Sequence, residues 1–270
     1  LLKQASPNFA EMLKKDPKAE DGCRAPAPGE IMRNPTLANT YRLVAKHGKA
    51  GFYSGSVAEE LVKVVQAQGG GLTLEDLKNH MDLGTEETEA ISIKFGGQGV
   101  KHSHGRQMHD KSSEGVELWE HPPNGQGIVA LMALGMLEIL EEQGKVKKFE
   151  PEDHNSAEYI HAVVEVLRIA FADANWWVAD PNVAKVPAKE LVSKAYLTER
   201  AKLFNPDKAS PPLDHGSPAH NHSDTVYFAV TDSEGNGMSF IISNYAGFGT
   251  GIIPKGCGFT LQNRGSNFVL

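Results

Sequence analysis

The residues best suited to chemistry lie in one stretch, His222-Ser223-Asp224-Thr225-Val226-Tyr227. A polar run rich in His, Pro and Gly, residues 211–223, stops at Thr225, and the chain then alternates as a buried strand would as far as Asp232. A hydroxyl residue at the head of a strand, directly after such a run, suits a threonine released as a new N-terminus. Such a threonine can use its own amine as general base. The local pattern alone favours a plainer reading in which Thr225 opens an ordinary hairpin, because Thr is a favoured strand residue. A turn at Asp232–Gly237 and a return through Met238 to Ser243 complete that hairpin.

The chain has 270 residues, enough for one large domain or two small ones, and 40% apolar content supplies a core. A net charge of -7 with mixed signs lacks the basic stripe that a nucleic-acid partner needs. No apolar run approaches the length of a membrane span. Cys23 and Cys257 are expected to be free thiols, and they do not fix a redox compartment or a location. Both ends read as cut, so the sequence is expected to be a fragment.

The positioning elements follow in order. Asn34-Pro35 opens a helix with Pro at its first position, and Leu37, Tyr41, Val44 and Ala45 form its apolar face. A turn at Gly51–Gly55 leads to a second helix from Ser56, stopped by Gly69-Gly70-Gly71. Thr73 and Asp76 have the spacing of a capping box. A short helix is expected over 9–15, strands over 88–95 and 116–119, and helices over 128–142, 158–174 and 189–203. The longest is assigned a core face of Ile160, Val163, Val164, Leu167 and Phe171. Residues 204–224 read as a long loop, of the kind that is functional or disordered. Helices first and strands last is the order of an α+β or layered sandwich fold. A competing reading is a metal site built from His102, His104, His109, His215, His220 and His222. No cysteine or carboxylate cluster accompanies them at ligand spacing, so neither metal nor cofactor is expected.

Seven segments in register resemble the γ-glutamyltranspeptidase family of N-terminal-nucleophile hydrolases. They are Asn34-Pro35-Thr36-Leu37-Ala38, Gly51-Phe52-Tyr53-Ser54-Gly55, Gly70 to Leu77, Pro122-Pro123-Asn124-Gly125-Gln126-Gly127, Ala170-Phe171-Ala172-Asp173 with Ala179-Asp180-Pro181, Asp224-Thr225, and Phe248-Gly249-Thr250-Gly251-Ile252. The resemblance implies a partial αββα four-layer sandwich forming one structural domain. Residues 1–224 would be the later part of a large subunit and residues 225–270 the start of a small one, paired after self-cleavage between Asp224 and Thr225. It implies Thr225 as nucleophile with its α-amine as base, Ser243 as a hydroxyl supporting it, and a small-molecule amide or peptide as substrate.

The resemblance also shows where substrate contacts change. Tyr245 falls where the family has an asparagine, with Asn244 adjacent. Asn267 falls at the carboxylate that grips the substrate's α-ammonium, and Arg264 at a glutamine-like partner. Removing that charge points away from free γ-glutamyl groups and toward the acylase-like branch, where Arg264 would pair with a carboxylate on the acyl group. Ala174 replaces an arginine beside Asp173, which implies a weakened internal ion pair. The family's oxyanion Gly-Gly pair and α-carboxylate arginine fall outside these residues, so the stretch alone is expected to be inactive. The alternative is a catalytically impaired member serving as a binding or scaffold protein.

Overall fold

The computed structural model describes residues 1–96, 116–211 and 223–267, with only the backbone of 223–225 and 267. The histidines singled out at 102, 104, 109, 215, 220 and 222 lie outside the described residues. The chain packs as two compact units, Leu1–Thr85 with His220–Leu270, and Glu86–Ala219.

The first unit begins with α1 (Leu2–Ala5), a 3-10 turn at Phe9–Met12, and the antiparallel pair β1 (Lys14–Lys15) and β2 (Cys23–Arg24). The helix expected over 9–15 therefore stops early. Leu13 is already extended, and Pro17 disfavours helical geometry at Asp16. In α2 (Pro35–His47), Asn34 Oδ1 accepts the Leu37 N–H at 3.0 Å, as the Asn-Pro start requires. Tyr41, expected on the inner face, is 66% exposed; Thr40 is buried there instead and donates to the Cys257 carbonyl at 3.0 Å. The expected turn at Gly51–Gly55 is partly helical, as α3 (Ala50–Tyr53). Gly51 is required at this corner because a Cβ would collide with the Leu43 carbonyl. In α4 (Gly55–Ala67), Val57, Leu61 and Val64 are buried at helical spacing, while Val65 is half-buried. It closes through the Gly70 N–H to the Val65 carbonyl at 2.9 Å. The Thr73–Asp76 capping box opens α5 (Leu74–Leu83).

The second unit pairs β3 (Ile91–Phe95) antiparallel with β4 (Val116–Glu120), Ile91 opposite Glu120 and Phe95 opposite Val116. Its centre is α6 (Gly127–Glu142), which is apolar on almost every side. Ile128, Leu131, Met132, Met136 and Leu140 are each 0% exposed. Burial on that scale contributes about 1.5–3 kcal/mol per side chain. Against it pack α7 (Ala157–Trp177) and α9 (Lys194–Ala201), with α8 (Ala188–Leu191) between them in the chain. One helix was expected over 189–203. Ser193 divides it by capping α9, its Oγ accepting the Tyr196 N–H at 3.3 Å.

The inner face of α7 differs in part from the expected one, of which Leu167 does pack against the core. Ile160, Val164 and Phe171 are exposed, while Ala162, Val166, Ile169 and Ala170 are buried beside the carboxylates Glu165 and Asp173. Small residues allow close approach to α6, and each buried carboxylate has an arginine partner. Helix fit and charge pairing therefore choose this face over side-chain size.

The hairpin is β5 (Ser223–Thr231) and β6 (Gly237–Ala246). Asp232 Oδ1 shapes its turn by accepting the Glu234 and Asn236 N–H groups, each at 2.9 Å. Its alternation had read as that of a buried strand. Val226 and Tyr227, neighbours that point to opposite faces, are instead 64% and 59% exposed, and among the described residues neither face is covered. The fold is a mixture of helix and antiparallel sheet. No described helix is long and apolar enough to cross a membrane.

Candidate active site

The backbone around Asp224-Thr225 has a local irregularity at the bond of interest. Ser223 pairs with Ala246 and Asp224 with Tyr245, but Thr225 pairs with Ser243, so the register slips by one residue between Asp224 and Thr225. Asn244 is the surplus residue of this β-bulge, a device that bends a strand and re-aims side chains. Tyr245 takes φ 76°, a left-handed conformation costly for a non-glycine residue. Two hydrogen bonds hold it there: Ser243 Oγ accepts the Tyr245 N–H at 2.9 Å, and Asn263 Oδ1 accepts the Ala246 N–H at 3.0 Å. The Asn263 N–H donates in turn to the Asn244 carbonyl at 3.1 Å.

The return segment fastens this bulge to a rigid base. The Leu261 carbonyl accepts both the Thr250 N–H at 2.8 Å and Thr250 Oγ1 at 3.0 Å. The Leu261 N–H donates to the Ile252 carbonyl at 3.0 Å. Gly249, at φ 53°, passes so close that a Cβ would strike the Leu261 carbonyl. Further along, Ile253 is 0% exposed, and its carbonyl accepts Asn8 Nδ2 at 2.8 Å while its N–H donates to Ser6 Oγ at 3.0 Å. The Gly-rich bend is therefore anchored to the N-terminal residues. Cys257 and Cys23 are buried free thiols, and burial pushes the Cys257 thiol up to about 11.

Arg264 lies over the Tyr245 ring, its guanidinium carbon 4.9 Å from the centroid. The ring supports the cation while Arg264 itself remains exposed. Ser243, Asn244, Tyr245 and Arg264 thus lie together beside the Asp224-Thr225 backbone. Asn267 ends a short 3-10 turn that starts at Arg264. Asn263 was not singled out as a site residue, and nothing in its sequence context marked it as the bridge across the bulge.

Two charged pairs on α7 were also missed as partners. Asp173 is gripped by Arg200 of α9, with Nε to Oδ2 at 2.8 Å and Nη2 to Oδ1 at 2.7 Å. The pair expected to be weakened by Ala174 is thus made from elsewhere in the chain. Burial pushes the Asp173 carboxyl above its ordinary value, opposed by Arg200 and by the Tyr196 hydroxyl. Glu165 is 2% exposed and pairs with Arg168 at 2.6 Å. Their i,i+3 spacing was the available signal.

A family model described as gamma-glutamyltranspeptidase matches residues 2–270. The glutathione hydrolase-like YwrD proenzyme of Bacillus subtilis is 32% identical over 251 residues, covering 92% of this chain and 41% of that protein. The oxamate amidohydrolase proenzyme of Klebsiella pneumoniae is 31% identical over 246 residues, covering 91% and 40%. Among solved structures, the cephalosporin acylase from Bacillus halodurans superposes with a TM-score of 0.67 at 33% identity, covering 91% of this chain and 39% of that one. The chain thus spans about two fifths of the length of these relatives. With the matched segments in register from end to end, the chain belongs to the gamma-glutamyltranspeptidase family.

Proposed function

We propose that the full protein carrying this chain is an amidohydrolase or acyltransferase of the N-terminal-nucleophile type, made as a precursor that cleaves itself between Asp224 and Thr225. The observation that carries this reading is the register slip at that bond, opposite Ser243. In the first step Thr225 Oγ attacks the Asp224 carbonyl, the C–N bond breaks, and an ester forms. Water hydrolyses the ester, leaving a carboxylate on Asp224 and a free α-amine on Thr225. That amine, with a reference pKa of about 7.7–8, is substantially neutral near physiological pH and takes the hydroxyl proton in later turnovers. Substrate acyl groups pass to Thr225 Oγ as an ester, the proton leaves with the amine product, and water or a second amine accepts the acyl group. The Ser243 hydroxyl orients the nucleophile.

Residues 1–224 then belong to the large subunit and 225–270 open the small one. The bare, apolar hairpin suits the interior of an αββα sandwich, where both faces of its strands would be covered.

The substrate is a γ-glutamyl or glutaryl-type amide. Exposed Arg264, steadied by Tyr245, offers two donors to an acyl carboxylate. Asn267 has no charge to offer an ammonium, which favours an acyl group lacking the α-amine. The full-length protein is expected to hydrolyse glutaryl anilide faster than γ-glutamyl anilide. Asn267→Asp should move kcat/KM toward the γ-glutamyl substrate by about tenfold or more, the scale of one charge-assisted hydrogen bond. Release of aniline from neither substrate would sink the proposed activity.

A further inference from the structure

Asn263 has no step in the chemistry above, yet its N–H, its side-chain oxygen and its carbonyl each secure a different part of the surface that carries Tyr245 and Arg264. The N–H donates to the Asn244 carbonyl at 3.1 Å, and Oδ1 accepts the Ala246 N–H at 3.0 Å. Asn263 thus grips the backbone immediately before and immediately after Tyr245, the residue held at φ 76°. Its carbonyl accepts the Ser266 N–H at 3.0 Å and Ser266 Oγ at 2.9 Å. Those bonds close the 3-10 turn Arg264–Asn267 that follows it. Asn263 therefore joins the bulge to the turn. The two meet again where the Arg264 guanidinium lies over the Tyr245 ring, 4.9 Å from its centroid.

A left-handed tyrosine persists only where its surroundings over-determine it, and such residues gather at ligand-binding sites. Arg264 is exposed, so the aim of its guanidinium depends on the ring beneath it and on the turn that carries it. We infer that Asn263 is a positioning residue that holds Tyr245 and the Arg264 turn in one frame and thereby sets the preference for acyl groups ending in a carboxylate. The inference rests on the reading of Arg264 given above as the partner of an acyl carboxylate. An arginine fork takes a carboxylate through two parallel hydrogen bonds, a geometry that is lost when the fork swings free. Asn263 acts through Tyr245 and Arg264, without contact with the reacting atoms.

Asn263→Ala removes the bond to Ala246 and leaves the backbone bonds in place. Full-length protein would be assayed with glutaryl anilide and with butyryl anilide, the same acyl chain without its carboxylate, and its processing followed on denaturing gels. KM for glutaryl anilide is expected to rise about tenfold, the scale of a weakened hydrogen bond to a charged group, with kcat within about twofold of wild type. Both constants for butyryl anilide should stay within about twofold of wild type. A purely structural role would depress the two substrates alike. Tyr245→Gly gives a second test, because glycine takes a positive φ freely but removes the ring under Arg264. Adding Asn263→Ala to Tyr245→Gly should cost no further glutaryl preference, the non-additivity of residues that act through one another. Wild-type constants in Asn263→Ala, equal losses on both anilides, or additive losses in the double variant overturn the positioning role and leave the amidohydrolase reading standing. If Asn263→Ala alone fails to fold or process, the double variant decides. With the strain at residue 245 removed, it should process and match Tyr245→Gly in substrate preference; failure there too assigns Asn263 to folding and overturns the inference. A wild-type protein that hydrolyses glutaryl anilide no better than butyryl anilide removes the reading of Arg264, and the role of Asn263 with it.

Discussion

Thr225→Ala is expected to leave the full-length protein as one uncleaved chain and to lower amide hydrolysis by at least about 10³-fold. In the proposed mechanism one substitution removes two functions, because the same hydroxyl would open the precursor and carry the acyl group. Thr225→Ser retains both hydroxyl and α-amine, so it should still cleave and turn over, losing only the packing of one methyl. A protein in which Thr225→Ala stays active would show that the catalytic group lies elsewhere. Denaturing gels and an anilide assay on the two variants check both statements together.

The second large effect concerns stability. Arg200→Ala leaves the Asp173 carboxylate in the α7–α9 packing without its bidentate partner. Removing one member of a buried pair costs about 3–5 kcal/mol. The lower end, about 3 kcal/mol, is expected because 26% of the Arg200 side chain still meets solvent. Burial already raises the Asp173 carboxyl, and losing Arg200 raises it further. An acid whose folded pKa lies above its unfolded value loses stability as pH rises. The destabilisation should therefore be full at neutral pH and shrink as pH falls into the range where Asp173 is protonated. Combining Arg200→Met with Asp173→Leu should restore most of the lost Tm. A Tm unchanged by Arg200→Ala would contradict this role for the pair.

What the sequence made legible follows from how local each signal is. The starts of α2 and α5 were readable because a cap acts through its own side chain within one turn, as with Asn34 and Thr73. The length of α6 was readable from its continuous apolar run. The inner face of α7 was not. Ile160, Val164 and Phe171 are exposed, while Ala162, Val166, Ile169, Ala170 and two paired carboxylates are buried. That choice depends on α6 and Arg200, which are distant in sequence. At the candidate site, Asp224-Thr225 and Ser243 stood out by residue type and register, and Tyr245, Arg264 and Asn267 as departures from a pattern. The bulge at Asn244 and the bridging Asn263 did not stand out, because they arise from strand pairing across the hairpin and its return segment.

In the proposed mechanism the Asp224–Thr225 bond is cut by the protein itself, and Thr225 then acts as an N-terminal nucleophile. The most direct measurement is N-terminal sequencing of the smaller fragment from purified full-length protein, produced without added protease, with the Thr225→Ala variant run beside it. A fragment beginning Thr225-Val226-Tyr227-Phe228 is expected from the wild type, and no such fragment from the variant. An intact active chain, or an active protein whose fragment begins elsewhere, would contradict it.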